Sequence, residues 1–264
     1  MAPVTVMCYS NGHKRPYGEI ASAMKDGIAS YGDKVDSSTW LQYRDATVGV
    51  MYGWRYRSLL KKHNRFAYVD LGYWNRHLYW RVAANDWSPV KSMSRGMPSD
   101  RFDSLGVRIL PEHGGDSVLV LGMSAKACAD HGLSYMSWER KVCAQLLRQG
   151  ATVMFRAKPK DRMARPIEGT SMVQFESLQS LFARSSMVVA HHSNGCVEAV
   201  AAGCAVHCVY GAASLRNVPL SEWKDPPKIA GREQFLYDVA YTQWTTEEMR
   251  SGEAWRHMRE GVLR

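Results

Sequence analysis

The run His191, His192, Ser193, Asn194, Gly195, with Glu198 three residues on, gathers more groups able to do chemistry than any other stretch of this chain. Small polar residues in a turn before an apolar helical run leave backbone N–H groups to meet an anion, and a phosphate suits such a helix start. A plain strand-to-helix turn is the other reading of Ser193, Asn194 and Gly195. Glu198 is expected in the first helical turn, where it can reach ribose hydroxyls. A carboxylate there is also stabilised by the helix dipole with no ligand at all. His191 and His192 stand at the strand edge, either contacting a diphosphate or sugar or serving as structural histidines. Upstream, Arg156 and Lys158 follow an apolar run and offer positive charge to the same anion; for Arg156 a surface strand end is the alternative.

A proton acceptor is sought among carboxylates and histidines placed in loops. Asp70 ends the apolar run FAYV, and Gly72 beyond it leaves room for a ligand; Asp70 is a general base or a local loop cap. His13 is the second candidate, in the Gly-containing loop after the first strand, and Glu19 the third. Tyr73, Arg76 and Trp87 belong to an aromatic stretch, residues 72–98, able to contact a second substrate, with core packing the alternative for the tryptophan. The set His191, His192, Cys196, Cys204, His207 and Cys208 matches no zinc finger or ribbon spacing, so no metal is expected. No Walker loop, GxGxxG, HExxH or GxSxG occurs, and nothing favours a kinase, dehydrogenase, metalloprotease or serine hydrolase.

Alternating strands and helices position these groups. Residues 4–9, 46–52 and 66–71 read as strands, with helices over 17–30 and 56–62. After a loop over 101–115, with HGGD at 113–116 as a linker, a second series follows. Its strands are 117–121, 151–155, 187–190 and 205–209, and its helices 138–148, 178–183 and 196–202, the last closed by Gly203. Two terminal helices are expected over 232–241 and 246–260, with Thr245 and Glu248 as a capping box. Such alternation argues parallel α/β sheets.

The chain has 264 residues, 34 Lys and Arg against 25 Asp and Glu, and a formal net charge of +9. That excess suits a polyanionic partner such as DNA, since neutralising phosphates releases counterions, although a solvated basic surface gives the same composition. The six cysteines form no CxxC pair and are expected as free thiols. No apolar run approaches the ~20 residues of a membrane span, and no signal-peptide architecture is seen at the N-terminus, so a cytoplasmic location without membrane contact is expected.

The segment 186–211 resembles the nucleotide-sugar site in the C-terminal domain of GT-B glycosyltransferases, in which a strand, a Ser- or Gly-containing loop and a helix with an early Glu hold the nucleotide. Here those are Ser193, Asn194, Gly195 and Glu198. Arg156, Ala157, Lys158 and Pro159 are similar to the basic residue and Lys- or His-Pro pair of capsule-type transferases. The resemblance covers residues 117–211. It implies two Rossmann-like domains with a cleft between them: an acceptor-side domain at 1–114, a nucleotide-sugar domain at 115–230, and C-terminal helices at 231–264 packing back on the first. It also implies a metal-independent donor site at Arg156, Lys158, His191, His192, Ser193, Asn194, Gly195 and Glu198. The nucleotide sugar enters as substrate, without a cofactor. On the other side Asp70 or His13 would act as base and Tyr73, Arg76 and Trp87 would contact the acceptor. The stretch YVDLGYWNRHLYWRVAANDW resembles phage-encoded proteins described as glycosyltransferases. With the charge, this points to a hydroxymethylated base in duplex DNA as acceptor. A polysaccharide or lipid-linked sugar acceptor, or a non-catalytic module of the same fold, are the alternatives.

Overall fold

The computed structural model describes residues 2–10, 16–39, 42–53, 57–261 and 263. The chain divides into two compact units, one of Met1–Leu105 with Tyr237–Arg264 and one of Gly106–Leu236. In order, the first unit runs β1 (Thr5–Ser10), α1 (Tyr17–Tyr31), β2 (Lys34–Thr39), β3 (Val48–Tyr52), α2 (Arg57–Leu60), β4 (Arg65–Leu71), β5 (Tyr79–Ala84) and α3 (Asp100–Ser104). The second holds β6 (Ser117–Leu121), α4 (Ala125–Asp130), α5 (Ser137–Arg148), β7 (Thr152–Arg156), β8 (Ser171–Met172), α6 (Leu178–Phe182), β9 (Ser185–Ala190), α7 (Asn194–Ala201) and β10 (Ala205–Cys208). The division falls within α8 (Arg232–Ala240), and β11 (Gln243–Thr245), α9 (Thr246–Ser251) and α10 (Glu253–Gly261) return to the first unit.

The sheet of the first unit has the order β11-β5-β4-β3-β1-β2. Strands β2, β1, β3 and β4 are parallel; β5 runs antiparallel to β4, and β11, antiparallel to β5, runs the same way as β4. The aromatic stretch after Gly72 folds as a β4–β5 hairpin, and a hairpin return is antiparallel by construction. Val6, Val50, Ala67, Val69, Trp80 and Val82 meet Ile20, Met24 and Ile28 of α1 and Met249, Trp255 and Met258 in one core. Where α1 meets α9 the backbones approach so closely that a Cβ on Gly27 would collide with Met249 O, and one on Gly252 would come 2.6 Å from Ser30 Oγ. Gly252 has φ 91°, a left-handed conformation suited to glycine. It splits the expected 246–260 helix into α9 and α10. Beneath them, Asp33 accepts from Val4 N at 2.9 Å, Trp255 Nε1 at 2.8 Å and Arg259 Nε at 3.0 Å.

The second sheet is parallel throughout, with the order β10-β9-β6-β7-β8. Every residue of β6 and β9 is buried, as expected of strands covered on both faces. From β6 the chain builds outward to β7 and β8, then returns to β9 on the other side of β6. The strand order therefore reverses between β6 and β9, and the loops after these two neighbours come together at a topological switch point.

Candidate functional site

The loop after β9 enters α7 through Ser193, which has extended backbone and whose side chain accepts from Gly195 N at 3.1 Å. This cap starts the helix at Asn194, two residues ahead of the expected start. Glu198 is consequently its fifth residue, beyond the first turn, and the expected placement of that carboxylate is corrected. A Cβ on Gly195 would sit 3.0 Å from Leu121 Cδ1 and 3.3 Å from Ser193 Oγ, so the start of α7 is pressed onto the end of β6. At the far end, Gly203 N donates to Val200 O at 3.2 Å and Cys204 N to Ala199 O at 3.0 Å, a Schellman closure. Arg232 adds three donors, to Val200 O, Ala201 O and Leu110 O, at 2.6–3.0 Å. The helix carrying Ser193, Asn194, Gly195 and Glu198 is held at both ends.

Arg156 is the last residue of β7, and its Nη1 is buried with no hydrogen-bond partner. Buried polar groups are paired in the great majority of cases, so an orphan needs an explanation. Lys158 lies two residues beyond. Its carbonyl accepts from Gln174 Nε2 at 3.2 Å, and Gln174 Oε1 is likewise buried without a partner. Cys196, in the first turn of α7, has its thiol pushed up by a hydrogen bond with Cys208, then by burial; the Lys158 charge acts the other way. Lys158 is thus within electrostatic reach of the α7 start.

His191 and His192 follow β9, and the structure joins them to a residue the sequence reading passed over. His131, at the C-terminal cap of α4, has its ring 4.6 Å from that of His191 and 5.1 Å from that of His192. Trp138 meets His191 edge-on at 5.6 Å, and Tyr210 lies 5.7 Å from His131. The His191 Nδ1 is buried without a hydrogen-bond partner. Burial, and secondarily His131, push its pKa down. Cys196, Cys204, His207 and Cys208 take no part in this group. His207 Nδ1 lies 2.9 Å from Val218 O, and Cys204 Sγ donates to Phe182 O. A second omission is Glu139, fully buried in α5, whose Oε1 accepts from Met123 N at 2.7 Å and so fixes the loop after β6.

The candidates of the first unit look different. Asp70 lies inside β4, opposite Arg81 of β5. Its Oδ2 accepts from Tyr68 Oη and from Arg81 Nη2, both at 3.0 Å, and its Oδ1 accepts from Leu71 N at 2.8 Å. Burial opposes the charge on Arg81, but Asp70 and the neighbouring tyrosines outweigh it and raise the guanidinium pKa. Both carboxylate oxygens are thus taken up by donors of β4 and β5. This geometry favours the local structural reading of Asp70. Gly72 leaves no room for a ligand, since a Cβ there would lie 2.6 Å from Tyr79 O and 3.1 Å from Gln243 Oε1. Tyr73 is 2% exposed, its N–H donating to Gln243 Oε1 at 2.8 Å, and is a core residue. Trp87 stacks on Phe66 at 4.8 Å and meets Tyr68 edge-on at 5.3 Å, so packing accounts for it too. Arg76 is exposed in the β4–β5 hairpin, and Glu19 is exposed in the first turn of α1. His13 lies outside the described residues.

Both units are α/β and Rossmann-like, the composition of a GT-B fold. No family model and no curated protein matches the sequence. Among solved structures, the chain is similar to the β-Kdo 2,4 transferase of Thermosulfurimonas dismutans KpsC, with TM-score 0.57 and 11% identity over 93% of each chain. It is similar also to the β-Kdo 2,7 transferase of the same organism's KpsC, with TM-score 0.54 and 10% identity over 96% of this chain and 99% of that one. At these identities the likeness is one of fold. Among the described residues no helix is long and apolar enough to cross a membrane.

Proposed function

We propose that the protein is a glycosyltransferase using a nucleotide-sugar donor bound by the second unit. The observation carrying this reading is the unsatisfied Arg156 Nη1 at the carboxyl edge of a parallel sheet. Lys158 stands nearby, and the α7 N-terminus is capped by Ser193. Ligands of open α/β sheets gather at that edge. In glycosyl transfer the leaving phosphate gains negative charge as the glycosidic bond breaks. Arg156, Lys158 and the helix terminus would stabilise that charge where it develops. Glu198, one turn into α7, would accept from the ribose hydroxyls. His191 and His192 would line the sugar side of the loop. The sugar then passes to an acceptor hydroxyl, whose proton goes to a base.

A glycan acceptor is supported by the likeness in fold to two Kdo transferases over nearly the whole chain. The net charge of +9 separately supports a polyanionic acceptor, with a hydroxymethylated base in duplex DNA as its specific form. Such a base would have to be flipped from the stack. Incubation with a panel of nucleotide sugars and candidate acceptors, read as released nucleotide, tests the activity. No release above buffer across the panel would leave a non-catalytic module. Duplex binding that weakens steeply with salt separates the DNA acceptor from the glycan one.

A further inference from the structure

Three half-buried imidazoles, His131, His191 and His192, converge at the switch point between β6 and β9, with one ring nitrogen from each lying within 4.8 Å of the other two. We infer that this cluster binds a divalent transition-metal ion of the zinc, cobalt or nickel class, with three protein ligands and one open position.

Imidazole nitrogens without a carboxylate or carbonyl among them suit borderline transition metals rather than calcium or magnesium, which take oxygen ligands. Three protein ligands with a vacant fourth position is the arrangement of zinc sites that also bind water or substrate. At metal–nitrogen bonds of about 2.0–2.1 Å, tetrahedral ligands lie about 3.4 Å apart. Nitrogens now within 4.8 Å of one another need close by only about 1.4 Å or less, a distance that side-chain torsions can supply. The orphaned His191 Nδ1 supplies the independent sign that the cluster expects a ligand. A phosphate bound by the same rings would need them charged, and rings 4.6–5.8 Å apart by centroid repel one another when protonated. A metal is held by the neutral ring through a nitrogen lone pair, without that repulsion.

Topology explains why the site went unread. His131 is separated from His191 by 60 positions, and only the adjacency of β6 and β9 joins them. This inference departs from the metal-independent donor site expected from sequence, and it stands whether or not the protein transfers sugar.

The test uses the full chain, stripped with chelator and free of nucleotide. Cobalt(II) is added while visible absorption is followed, and zinc binding is measured by calorimetry. We expect about one ion per chain and the ligand-field bands of a low-coordinate cobalt centre. His131→Ala, His191→Ala and His192→Ala should each weaken binding by about 10–100-fold or more, the loss typical of removing even an outer-shell partner. His207→Ala, whose ring is occupied beside Val218 O, should bind like the parent. Circular dichroism and melting temperature confirm that each variant is folded. Absence of near-stoichiometric binding in the parent would overturn the site, as would three folded histidine variants that retain parental affinity or a His207→Ala variant that loses as much. A positive metal result with no sugar transfer would contradict only the enzymatic reading, and the converse only the metal site.

Discussion

Asp70 and Arg156, the charged candidates at the ends of β4 and β7, stand in opposite states of hydrogen bonding. In the first unit Asp70 spends both oxygens on Tyr68, Arg81 and Leu71 N, and Gly72 and Tyr73 are filled in by Tyr79 and Gln243. In the second unit Arg156 Nη1, Gln174 Oε1 and His191 Nδ1 are buried and lack partners. Residue type alone made Asp70 and Arg156 equal candidates. Satisfaction of hydrogen-bonding capacity separates them. A folded chain rarely tolerates a buried orphan; Gln243 Nε2 is one in the first unit, but Arg156 Nη1 is the one that carries a positive charge at the end of a parallel strand, where an anionic ligand would complete it.

Four substitutions press on this contrast. The largest effect is expected at Asp33→Ala, which strips a buried ion pair with Arg259, both side chains at most 3% exposed. Removing one partner of such a pair typically costs about 3–5 kcal/mol, so denaturant unfolding should show a loss of that order. A loss below about 1 kcal/mol would undo the view that satisfied charges hold the first unit. Asp70→Asn comes next. It weakens hydrogen bonds to a charged group, each worth about 1.5–3 kcal/mol, and should lower stability by up to that amount. Turnover per folded molecule should change by less than about tenfold. A loss of about 10²–10⁴-fold in a stable variant, the usual worth of a general base, would return Asp70 to the chemistry and break the contrast.

In the second unit the effects should invert. Arg156→Ala removes an orphan, so the free protein should melt at or slightly above the parental temperature. Donor affinity should fall by roughly 10–100-fold, as for one charged hydrogen bond. Destabilisation with unchanged donor affinity would make Arg156 structural. Glu198→Ala is the mildest, at roughly 1 kcal/mol of donor binding, or about fivefold in Kd, because the carboxylate lies past the first turn of α7. Parental affinity in that variant would remove Glu198 from the site.

Much of the second unit is legible in the sequence because its strands are apolar on both faces. SVLVL and MVVA can only be buried, and the turn between β9 and α7 declares itself through Ser193, Asn194 and Gly195. What stays hidden has specific causes. The edge strand β2, KVDSST, is polar and mostly exposed, so no hydrophobic pattern betrays it. The short strand β11 is read only through its pairing with β5. The true start of α7 depends on whether Ser193 or a later residue caps it, which composition does not decide. Gly72 was legible as a close approach, but the approaching atoms are Tyr79 O and Gln243 rather than a ligand. His131 is invisible to any local reading, because the C-terminal end of α4 gains its meaning only beside the loop after β9.

Hydrogen exchange of the full chain with and without a saturating nucleotide sugar tests the central claim most directly, because ligand binding suppresses local opening where the ligand is held. The account predicts slowed exchange in segments 156–160 and 191–198, with segments 70–76 of the first unit unchanged by the donor alone. Unaltered exchange across 156–160 and 191–198 under conditions where the nucleotide sugar is bound, or protection centred on 70–76 instead, would contradict it.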